Sequence, residues 1–523
     1  MDRELYEKAG AWLEEHKNAM VEDIKRLVRI DSVSRPGTDD TPFGRGCVQA
    51  LEEMLAIGRE HGFHCENHGN IVGSIGGEEK HWDNLIGFWN HLDVVPTGNG
   101  WENGPFDPVV KDRFLIGRGV SDNKGPAIGI LYVMECLREL KVPLKHELCL
   151  FVGTDEERGM EDMEYYTAHY PAPKLSMTPD SGFPVCYGEK GILEGQMVTE
   201  GAVSVQVLEA RGGNASNMIP DRAWALFSDS EGLREELDRL CGPAGAVPED
   251  AATAREHGPE ACGDAAERTG EKRATGGPVQ DKAATAGRIS WEMEARGIRV
   301  TACGTSKHSA APHGSVNAIH ELCLFLENMT ALSENDRQLF AKIGKLTREY
   351  DGAEVGIAYR DEVSGQTTCA GTVLAMEEGH LSLTLNIRYA ITAKDQEDIA
   401  ALTAYGAANG IRFRLERNSR PGYFPKEHPA VDILTDVYNE LTGSDAKSYV
   451  MGGGTYARKL PNAFSYGPGG IKESEEDKEA RERLFAPGHG GGHEPDEALN
   501  LRLFVEAMKI YACAIAALND VEL

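Results

Sequence analysis

The feature that most constrains this chain is an alternation, over its first third, of helix-like repeats with short apolar runs. Apolar residues recur at helical spacing in residues 13–30, 48–57 and 128–140. Short runs rich in apolar residues lie at 71–75, 85–89 and 148–152. Helices that alternate with buried runs are typical of an α/β layer built on parallel strands. We therefore predict an α/β domain with a mostly parallel sheet.

A different pattern begins near Ile192. Period-two alternation at 203–207, 289–293 and 381–387 predicts strands with one buried face, and helical stretches at 320–329 and 396–405 fall among them. Helical and glycine-rich segments return from about His428 and end in an amphipathic helix at 501–518. The simplest arrangement is one domain in two pieces, residues 1–190 and 423–523, interrupted by an inserted α+β domain at 191–422.

Segment 241–287 differs from the rest of the chain. Val247 and Val279 are its only large apolar side chains. Such a stretch cannot bury enough apolar surface to offset its ordering entropy. We predict a mobile surface insertion.

Composition excludes several classes of protein. The 54 basic and 84 acidic residues give a formal net charge of −30, which argues against nucleic-acid or anionic-membrane partners. The N-terminal residues lack the order of a secretory signal, and no apolar run reaches the length that spans a bilayer. The 11 cysteines include no Cys-x-x-Cys pair, which favours reduced thiols in a cytoplasmic protein.

Polar clusters follow several of the predicted strands. His91 and Asp93 come after run 85–89, and residues two apart in extended backbone face the same way. A metal-ligating imidazole commonly donates its other N–H to a carboxylate or carbonyl, so Asp93 is a candidate to orient His91. Taken alone, a His-x-Asp triplet is more often an accident of the surface.

The glycine-rich segment 117–126 precedes the predicted helix at 128–140. Its glycines permit a tight turn that would hold Asp122 at the mouth of the sheet. The alternative is that Asp122 caps the helix, since aspartate is a preferred N-cap residue.

Further acidic residues lie at strand ends. Asp155, Glu156 and Glu157 directly follow run 148–152, where their mutual repulsion must be relieved by protons or cations. The two glutamates can take different roles, one facing a cation and the other facing solvent or substrate. Asp180 lies at another predicted strand end.

A last cluster lies far away at 489–497, where His489 and His493 are both candidate ligands. Crevices at strand ends are where α/β proteins place their sites. Histidine with carboxylates and without cysteine suits Zn²⁺, Mn²⁺ or Co²⁺. Two such ions sharing one carboxylate could activate a water molecule and polarise a carbonyl group.

Taken together, these motifs resemble those of a known family. Segments 91–96, 117–126 and 155–157, with Trp101, Pro105-Phe106 and His493, occur in the order found in dinuclear-metal dipeptidases of the aminoacylase/carnosinase superfamily. The chain is most similar to the dipeptidase V branch, which is Xaa-His or β-Ala-His dipeptidase-like. The resemblance spans almost the whole chain except the insertion. It implies a catalytic α/β domain interrupted by an inserted α+β lid domain.

The resemblance also implies roles for individual residues. His91 and Asp180 would bind one metal, Glu157 and His493 the other, and Asp122 would bridge both. Glu156 would be the general base, and Asp93 would orient His91. His493 is preferred to His489 because it precedes the Pro-Asp-Glu sequence.

Three motifs in the lid and one glycine-rich loop match as well. The resemblance implies that His308 stabilises the oxyanion, that Arg388 holds the substrate carboxylate, and that Asn217 lies near the substrate. It also implies that the loop containing Gly453, Gly454 and Thr455 lines the pocket. Without the resemblance, His308 would be interpreted as a turn histidine and Arg388 as an outward-facing strand residue.

The predicted activity is hydrolysis of short peptides with a free C-terminal carboxylate, through a metal-bridging water that Glu156 activates. The cofactors would be two divalent ions, with Zn²⁺ favoured over Mn²⁺ or Co²⁺. One alternative is an N-acyl-amino-acid amidohydrolase of the same superfamily, and another is a non-catalytic peptide-binding protein. The expected partners are a dipeptide or other small peptide, with neither nucleic acid nor membrane. A monomer is favoured over a homodimer.

Overall fold

The structure is a computed structural model that describes residues 3–245 and 288–523. The chain forms two compact units. Unit 1 consists of Met1–Glu189 and Gly422–Leu523, and unit 2 of Lys190–Pro421. From residue 246 onward, the predicted insertion 241–287 lies outside the described residues.

The helices and strands are numbered in chain order. The helices are α1 Arg3–Val28, α2 Arg45–Glu60, α3 Lys124–Glu139, α4 Glu161–His169, α5 Glu231–Cys241, α6 Ala318–Leu326, α7 Glu334–Leu346, α8 Asp395–Asn409, α9 Pro429–Thr442, α10 Glu475–Leu484 and α11 Leu501–Ala517. The strands of the first piece of unit 1 are β1 His64–His68, β2 Val72–Gly76, β3 Leu85–His91, β4 Val109–Lys111, β5 Phe114–Ile116, β6 Glu147–Gly153, β7 Leu175–Thr178, β8 Ser181–Gly182 and β9 Val185–Glu189. Those of unit 2 are β10 Gly191–Thr199, β11 Val207–Gly212, β12 Arg222–Phe227, β13 Ile289–Glu294, β14 Gly297–Cys303, β15 Arg360–Asp361, β16 Gly365–Gln366, β17 Thr368–Glu377, β18 His380–Tyr389 and β19 Ile411–Ser419. Those of the second piece of unit 1 are β20 Gly422–Tyr423, β21 Tyr449–Met451, β22 Ala463–Tyr466, β23 Pro468–Gly469 and β24 Ala498–Asn500.

The main sheet of unit 1 has the order β1-β2-β6-β3-β7-β22-β9-β20, and β21 also pairs with β9. Its central strands β6, β3, β7 and β22 run parallel. Toward both edges the pairings are antiparallel, except that β21 runs parallel to β9. The α/β prediction is confirmed, with parallel pairing concentrated at the centre of the sheet. Every residue of β3 is buried, which explains its continuous apolar pattern.

Helix α3 is buried almost all round. It packs on β3 and β6 and also on helices α1 and α11. A helix that contacts neighbours on several sides needs apolar residues around most of its circumference, as the sequence of α3 provides. Each helix in the described part of the chain is too short or too polar to span a bilayer.

Unit 2 contains an eight-stranded sheet with the order β13-β14-β12-β11-β17-β18-β10-β19, and all its pairings are antiparallel. Leu381, Leu383, Leu385 and Ile387 alternate along β18 and are fully buried, as their spacing predicts. They share one hydrophobic core with residues of α6 and α7. The inserted α+β fold is therefore confirmed.

The strand predicted at 203–207 is wrong, because strand β11 begins only at Val207. The preceding residues form a loop held by side-chain contacts, in which Ser204 donates both its N–H and its hydroxyl to Asp336. Val205 is 96% exposed. The alternation of valines there reflects a turn and not a half-buried strand.

Candidate active site

The site in unit 1 lies where neighbouring parallel strands end. His91 is the last residue of β3, Glu156 and Glu157 follow β6, and Asp180 follows β7. Strands β6, β3 and β7 are adjacent in the sheet and parallel. Because the carboxyl ends of parallel strands meet at one edge of a sheet, these side chains are brought together there.

Asp122 joins this group from the turn before α3. The helix begins at Lys124, and neither Asp122 nor the adjacent Asn123 caps it with a side chain. One oxygen of Asp122, Oδ1, lies 2.9 Å from Nε2 of His91, and the other, Oδ2, lies 3.0 Å from Nε2 of His493. The carboxylate of Asp122 therefore stands between two imidazoles.

Of the two candidate histidines late in the chain, His493 reaches the carboxylates. Its Nε2 also lies 2.9 Å from Oε1 of Glu157, and its backbone adopts the left-handed conformation with φ 66°. His489 instead directs its Nδ1 to Asp496 at 2.8 Å. The aspartate in turn accepts the backbone N–H of Glu102. His489 thus belongs to the packing of a loop.

The clustered side chains form two overlapping groups that could each hold a cation. His91, Asp122 and Glu157 make one, and His91, Glu156 and Asp180 the other, with the ligand atoms of each group all within 4.8 Å of one another. Oδ2 of Asp180 lies 3.8 Å from Nε2 of His91. The five side chains predicted to bind metal are therefore near one another. Glu156, the predicted general base, lies in the same cluster.

Charge is unbalanced in this cluster. Burial raises the pKa of Glu156 and Asp180 well above their ordinary values, and it also raises the pKa of Glu157. Burial alone would raise the pKa of Asp122 too, but hydrogen bonds from His493 and His91 hold it well below its usual range. Four carboxylates face two imidazoles. Bound divalent cations would relieve this repulsion, so the residues present fit a metal centre.

Asp93 does more than the sequence indicated. Its backbone carbonyl accepts Nδ1–H of His91 at 3.0 Å, so Nε2 faces Asp122. Its carboxylate accepts the backbone N–H groups of Glu156 and Glu157 at 3.1 and 3.0 Å. Asp93 is fully buried. It therefore fixes the acidic loop as well as the ring of His91.

Sequence reasoning missed a buried ion pair beneath the site. Glu497 accepts a hydrogen bond from Nη1 of Arg118 at 2.9 Å, and both side chains are almost completely buried. The carboxylate also accepts the backbone N–H groups of Ser121 and Asp122. The only signal in the sequence is an acid four residues after His493 and an arginine inside the glycine-rich turn.

In unit 1, the side chain of Arg458 holds the loop that contains Gly453 and Gly454. Nη2 of Arg458 donates to the carbonyl of Gly453 at 2.8 Å, and its Nε donates to Glu189 at 2.9 Å. A Cβ atom on Gly454 would lie 2.2 Å from Cζ of Arg458, so a side chain there would displace the guanidinium that holds the loop. Thr455 is buried and donates its hydroxyl to Glu189. The structure thus gives the threonine side chain a role in holding the loop.

Unit 2 brings together the segments that carry Asn217 and His308. They form an isolated β-bridge between Met218 and His308, and the carbonyl of Asn217 accepts the N–H of Ser309 at 2.8 Å. Nδ1 of His308 accepts the N–H of Ala310 at 3.2 Å. In a neutral ring that bond leaves the proton on Nε2.

Arg388 lies on β18 of unit 2 and is buried, at 6% exposure. The interpretation of an outward-facing strand residue, which its strand position alone favours, is therefore wrong. Its Nε donates to Oδ1 of Asn386 at 2.9 Å. The guanidinium is thus held in a fixed orientation by its neighbour on the same face of the strand.

Residues 87–517 match the sequence model of peptidase family M20/M25/M40, and the chain belongs to this family. It is a peptide hydrolase, and the resemblance identified from the motifs is confirmed at that level.

Similar proteins span nearly all of the chain. A Staphylococcus epidermidis protein named "Putative dipeptidase" is 27% identical over 520 residues, covering 96% of this chain and 98% of its own. A Bacillus subtilis protein, "Putative dipeptidase YtjP", is 26% identical over 510 residues, covering 95% and 97%. Among solved structures, the dipeptidase Dug1p of Saccharomyces cerevisiae has a TM-score of 0.52 at 13% identity, covering 99% of each chain. Human carnosine dipeptidase 1 has a TM-score of 0.50 at 13% identity, covering 99% and 100%.

Proposed function

We propose that this chain is a metal-dependent dipeptidase that hydrolyses short peptides with a free C-terminal carboxylate. The observation that carries the proposal is the position of Asp122, whose two oxygens lie 2.9 and 3.0 Å from two different imidazoles. A carboxylate with each oxygen facing a different histidine is suited to bridge two cations. The dipeptidase names of the relatives support the same substrate class.

The ligands divide into two sets that share Asp122. His91 and Asp180 would complete one site, and Glu157 and His493 the other. Imidazole and carboxylate ligands suit Zn²⁺, with Mn²⁺ and Co²⁺ as alternatives. When bound, such ions lower the pKa of a water molecule and polarise a carbonyl group.

Glu156 is the proposed general base. It takes a proton from the attacking water and delivers it to the nitrogen of the leaving amine. Its backbone is fixed by the N–H bond to Asp93 at 3.1 Å. Glu156 and Glu157 each belong to one of the two potential ligand groups, so a test of the base compares the two glutamates directly.

Unit 2 supplies the proposed substrate contacts. His308 would donate its Nε2–H to the carbonyl oxygen as charge develops there, a role supported by the bond that its Nδ1 accepts. Arg388 offers a planar donor fork that suits the terminal carboxylate. Asn217 lies beside the His308 loop, since its carbonyl accepts the N–H of Ser309.

The test compares Glu156→Gln and Glu157→Gln with wild type. Each protein is assayed on a panel of dipeptides and N-acetyl amino acids, and its bound metal is counted. We expect wild type to cleave dipeptides, to lose activity with a chelator and to regain it with Zn²⁺. Glu156→Gln should keep two ions and lose at least about 100-fold in kcat. Glu157→Gln should lose one ion.

Glu161→Gln is the matched control, because Glu161 is an exposed acid close in sequence and should leave both readouts unchanged. Turnover of N-acetyl amino acids with inert dipeptides would replace the proposal with an amidohydrolase. Peptide binding without turnover of any substrate would indicate a binding protein. Undiminished kcat in Glu156→Gln would remove its role as base.

A further inference from the structure

A single buried amide in unit 2 joins the segments that carry its proposed substrate-binding residues. Oδ1 of Asn386 accepts two hydrogen bonds, from Oγ of Ser309 at 2.8 Å and from Nε of Arg388 at 2.9 Å. Its Nδ2 donates to Oε1 of Glu194. Asn386 and Ser309 are fully buried. Three hydrogen bonds of a buried polar network therefore meet at the side-chain amide of Asn386, which we call the node.

One bond from this node leads to the loop that holds the proposed oxyanion donor. Ser309 follows His308 directly, and its N–H donates to the carbonyl of Asn217 at 2.8 Å. Its own carbonyl accepts the hydroxyl of Thr368 at 3.3 Å. The position of Ser309 thus fixes the backbone from which the His308 ring projects.

The other bond leads to the proposed carboxylate-binding residue. Asn386 and Arg388 are two residues apart on β18, so their side chains lie on the same face of the sheet. Glu194 is the direct partner of Asn386 on the neighbouring strand β10. The guanidinium is consequently anchored at Nε by a side chain that is itself held across the sheet.

Asparagine is the residue type that this node requires. An amide oxygen can accept two hydrogen bonds while the amide nitrogen donates a third. Aspartate has the same shape but would place a second carboxylate oxygen against Glu194. Alanine at position 386 would remove a hydrogen-bond partner of the Ser309 hydroxyl, the Arg388 Nε–H and a Glu194 carboxylate oxygen, and no solvent replaces it where the amide is buried.

We propose that Asn386 is a positioning residue that sets the orientation of Arg388 and of the His308 loop together. The inference rests on the proposed function of these two residues. It predicts that recognition of the substrate carboxylate and stabilisation of the oxyanion respond together to one substitution. Small displacements of groups that act on the reacting atoms reduce rates by about 100-fold, so the effect is measurable.

The experiment measures kcat and KM for one dipeptide and for its C-terminal amide, which lacks the carboxylate. Asn386→Ala should lower kcat by about 10- to 100-fold and reduce the preference for the free carboxylate by about 10-fold or more. Ser309→Ala breaks one bond of the node, so it should lower kcat and keep the preference. Asn386→Leu, which fills the same space and accepts neither bond, is the second variant if Asn386→Ala fails to fold, and it should show the same paired loss.

Asn317→Asp is the matched control. Asn317 is also a buried asparagine of unit 2, but it caps α6 and donates to the carbonyl of Gly371. Asn317→Asp should lower the Tm without changing the preference for the free carboxylate over the amide. If Asn386 variants keep kcat and preference within about twofold while their Tm falls as in Asn317→Asp, the positioning role is wrong. If Arg388→Ala and His308→Ala themselves leave both parameters unchanged, the proposed function fails instead.

Discussion

Oε1 of Glu497 accepts the backbone N–H of Asp122 at 3.0 Å, although 375 residues separate the two positions. The same carboxylate accepts the N–H groups of Ser121 and Gly119 and the guanidinium of Arg118. Glu497 lies four residues after His493 in the same segment. One buried acid thus links the turn that carries Asp122 to the segment that carries His493.

Glu497→Ala should weaken both stability and metal binding. Removing one partner leaves the buried charge of Arg118 uncompensated, and such a loss costs about 3–5 kcal/mol. The affinity for Zn²⁺ should fall by about 10- to 100-fold, as for other partners that orient metal ligands. Urea unfolding of the metal-free protein and zinc titration of the folded protein measure the two effects.

Glu494→Gln provides the comparison for this variant. Glu494 lies in the same loop and accepts the N–H of Gly491 at 3.0 Å, but it is not part of the Arg118 pair. Glu494→Gln should change the free energy of unfolding and the affinity for Zn²⁺ only slightly. An unchanged zinc affinity in a folded Glu497→Ala protein would contradict the link between the two segments.

Asp93→Asn should reduce kcat by about 100-fold with little change in fold. The amide has one oxygen where the carboxylate has two, so it can accept only one of the N–H groups of Glu156 and Glu157 in the present geometry. The other N–H then faces an NH₂ group, and the acidic loop shifts. Steady-state kinetics and the Tm of the variant check this expectation.

Asp31→Asn is the control for Asp93→Asn. Its carboxylate also accepts a backbone N–H, that of Val33, but it is exposed. Equal kinetic losses in the two variants would show that the effect of Asp93 is not specific.

Metal should stabilise unit 1. A ligand that binds only the native state raises the free energy of unfolding by about 2.7 kcal/mol at 100 times its Kd. We therefore expect Zn²⁺ to raise the Tm of the wild-type protein and a chelator to reverse the effect. Asp122→Asn should abolish most of the increase, because Asp122 faces both histidines.

Asp83→Asn, a change in an exposed aspartate, should retain the full increase in Tm with Zn²⁺. An equal increase in Asp122→Asn would place the stabilising ion elsewhere.

His61 should make stability depend on pH. Its Nδ1 lies 2.6 Å from Glu135 on α3 and its Nε2 lies 3.1 Å from Asp23 on α1, and these hydrogen bonds raise its pKa from 6.5 to about 9. The protonated ring is thus favoured in the folded state. Its contribution should be complete below pH 6.5 and lost as the pH rises through about 9.

The measurement is urea unfolding of wild type and His61→Gln between about pH 6 and pH 10. We expect a difference of about 1–2 kcal/mol at the acid end, after screening by solvent, that disappears at the alkaline end. His64→Gln, at an exposed position on β1, should follow wild type. A difference that grows with pH would contradict the assigned direction.

The strand-end residues were predictable because their signal is local. A buried apolar run that stops at His91 or before Glu156 marks both the strand and the side chains at its end. Parallel pairing then brings those ends together. The α/β fold and the clustering of the acids follow from such patterns.

The supporting contacts were not predictable, because their partners are distant in the chain. The sequence around Arg118 does not indicate that Glu497 is its partner. The sequence around Ser309 likewise does not indicate that its hydroxyl donates to Asn386. A polar residue on an apolar strand is compatible with many partners, and only the folded topology selects one. The valines at 203–207 show the opposite failure, in which a local pattern was overridden by the contacts of Ser204 with Asp336.

The place of β22 in the main sheet has a consequence for biosynthesis. Strands β7 and β9 belong to the first piece of unit 1, but β22, which lies between them, begins only at Ala463. A nascent chain must therefore carry two strands with unpaired edges until most of the polypeptide has left the ribosome. Exposed strand edges recruit other chains, so a translation product that stops after unit 2 should aggregate or require a chaperone.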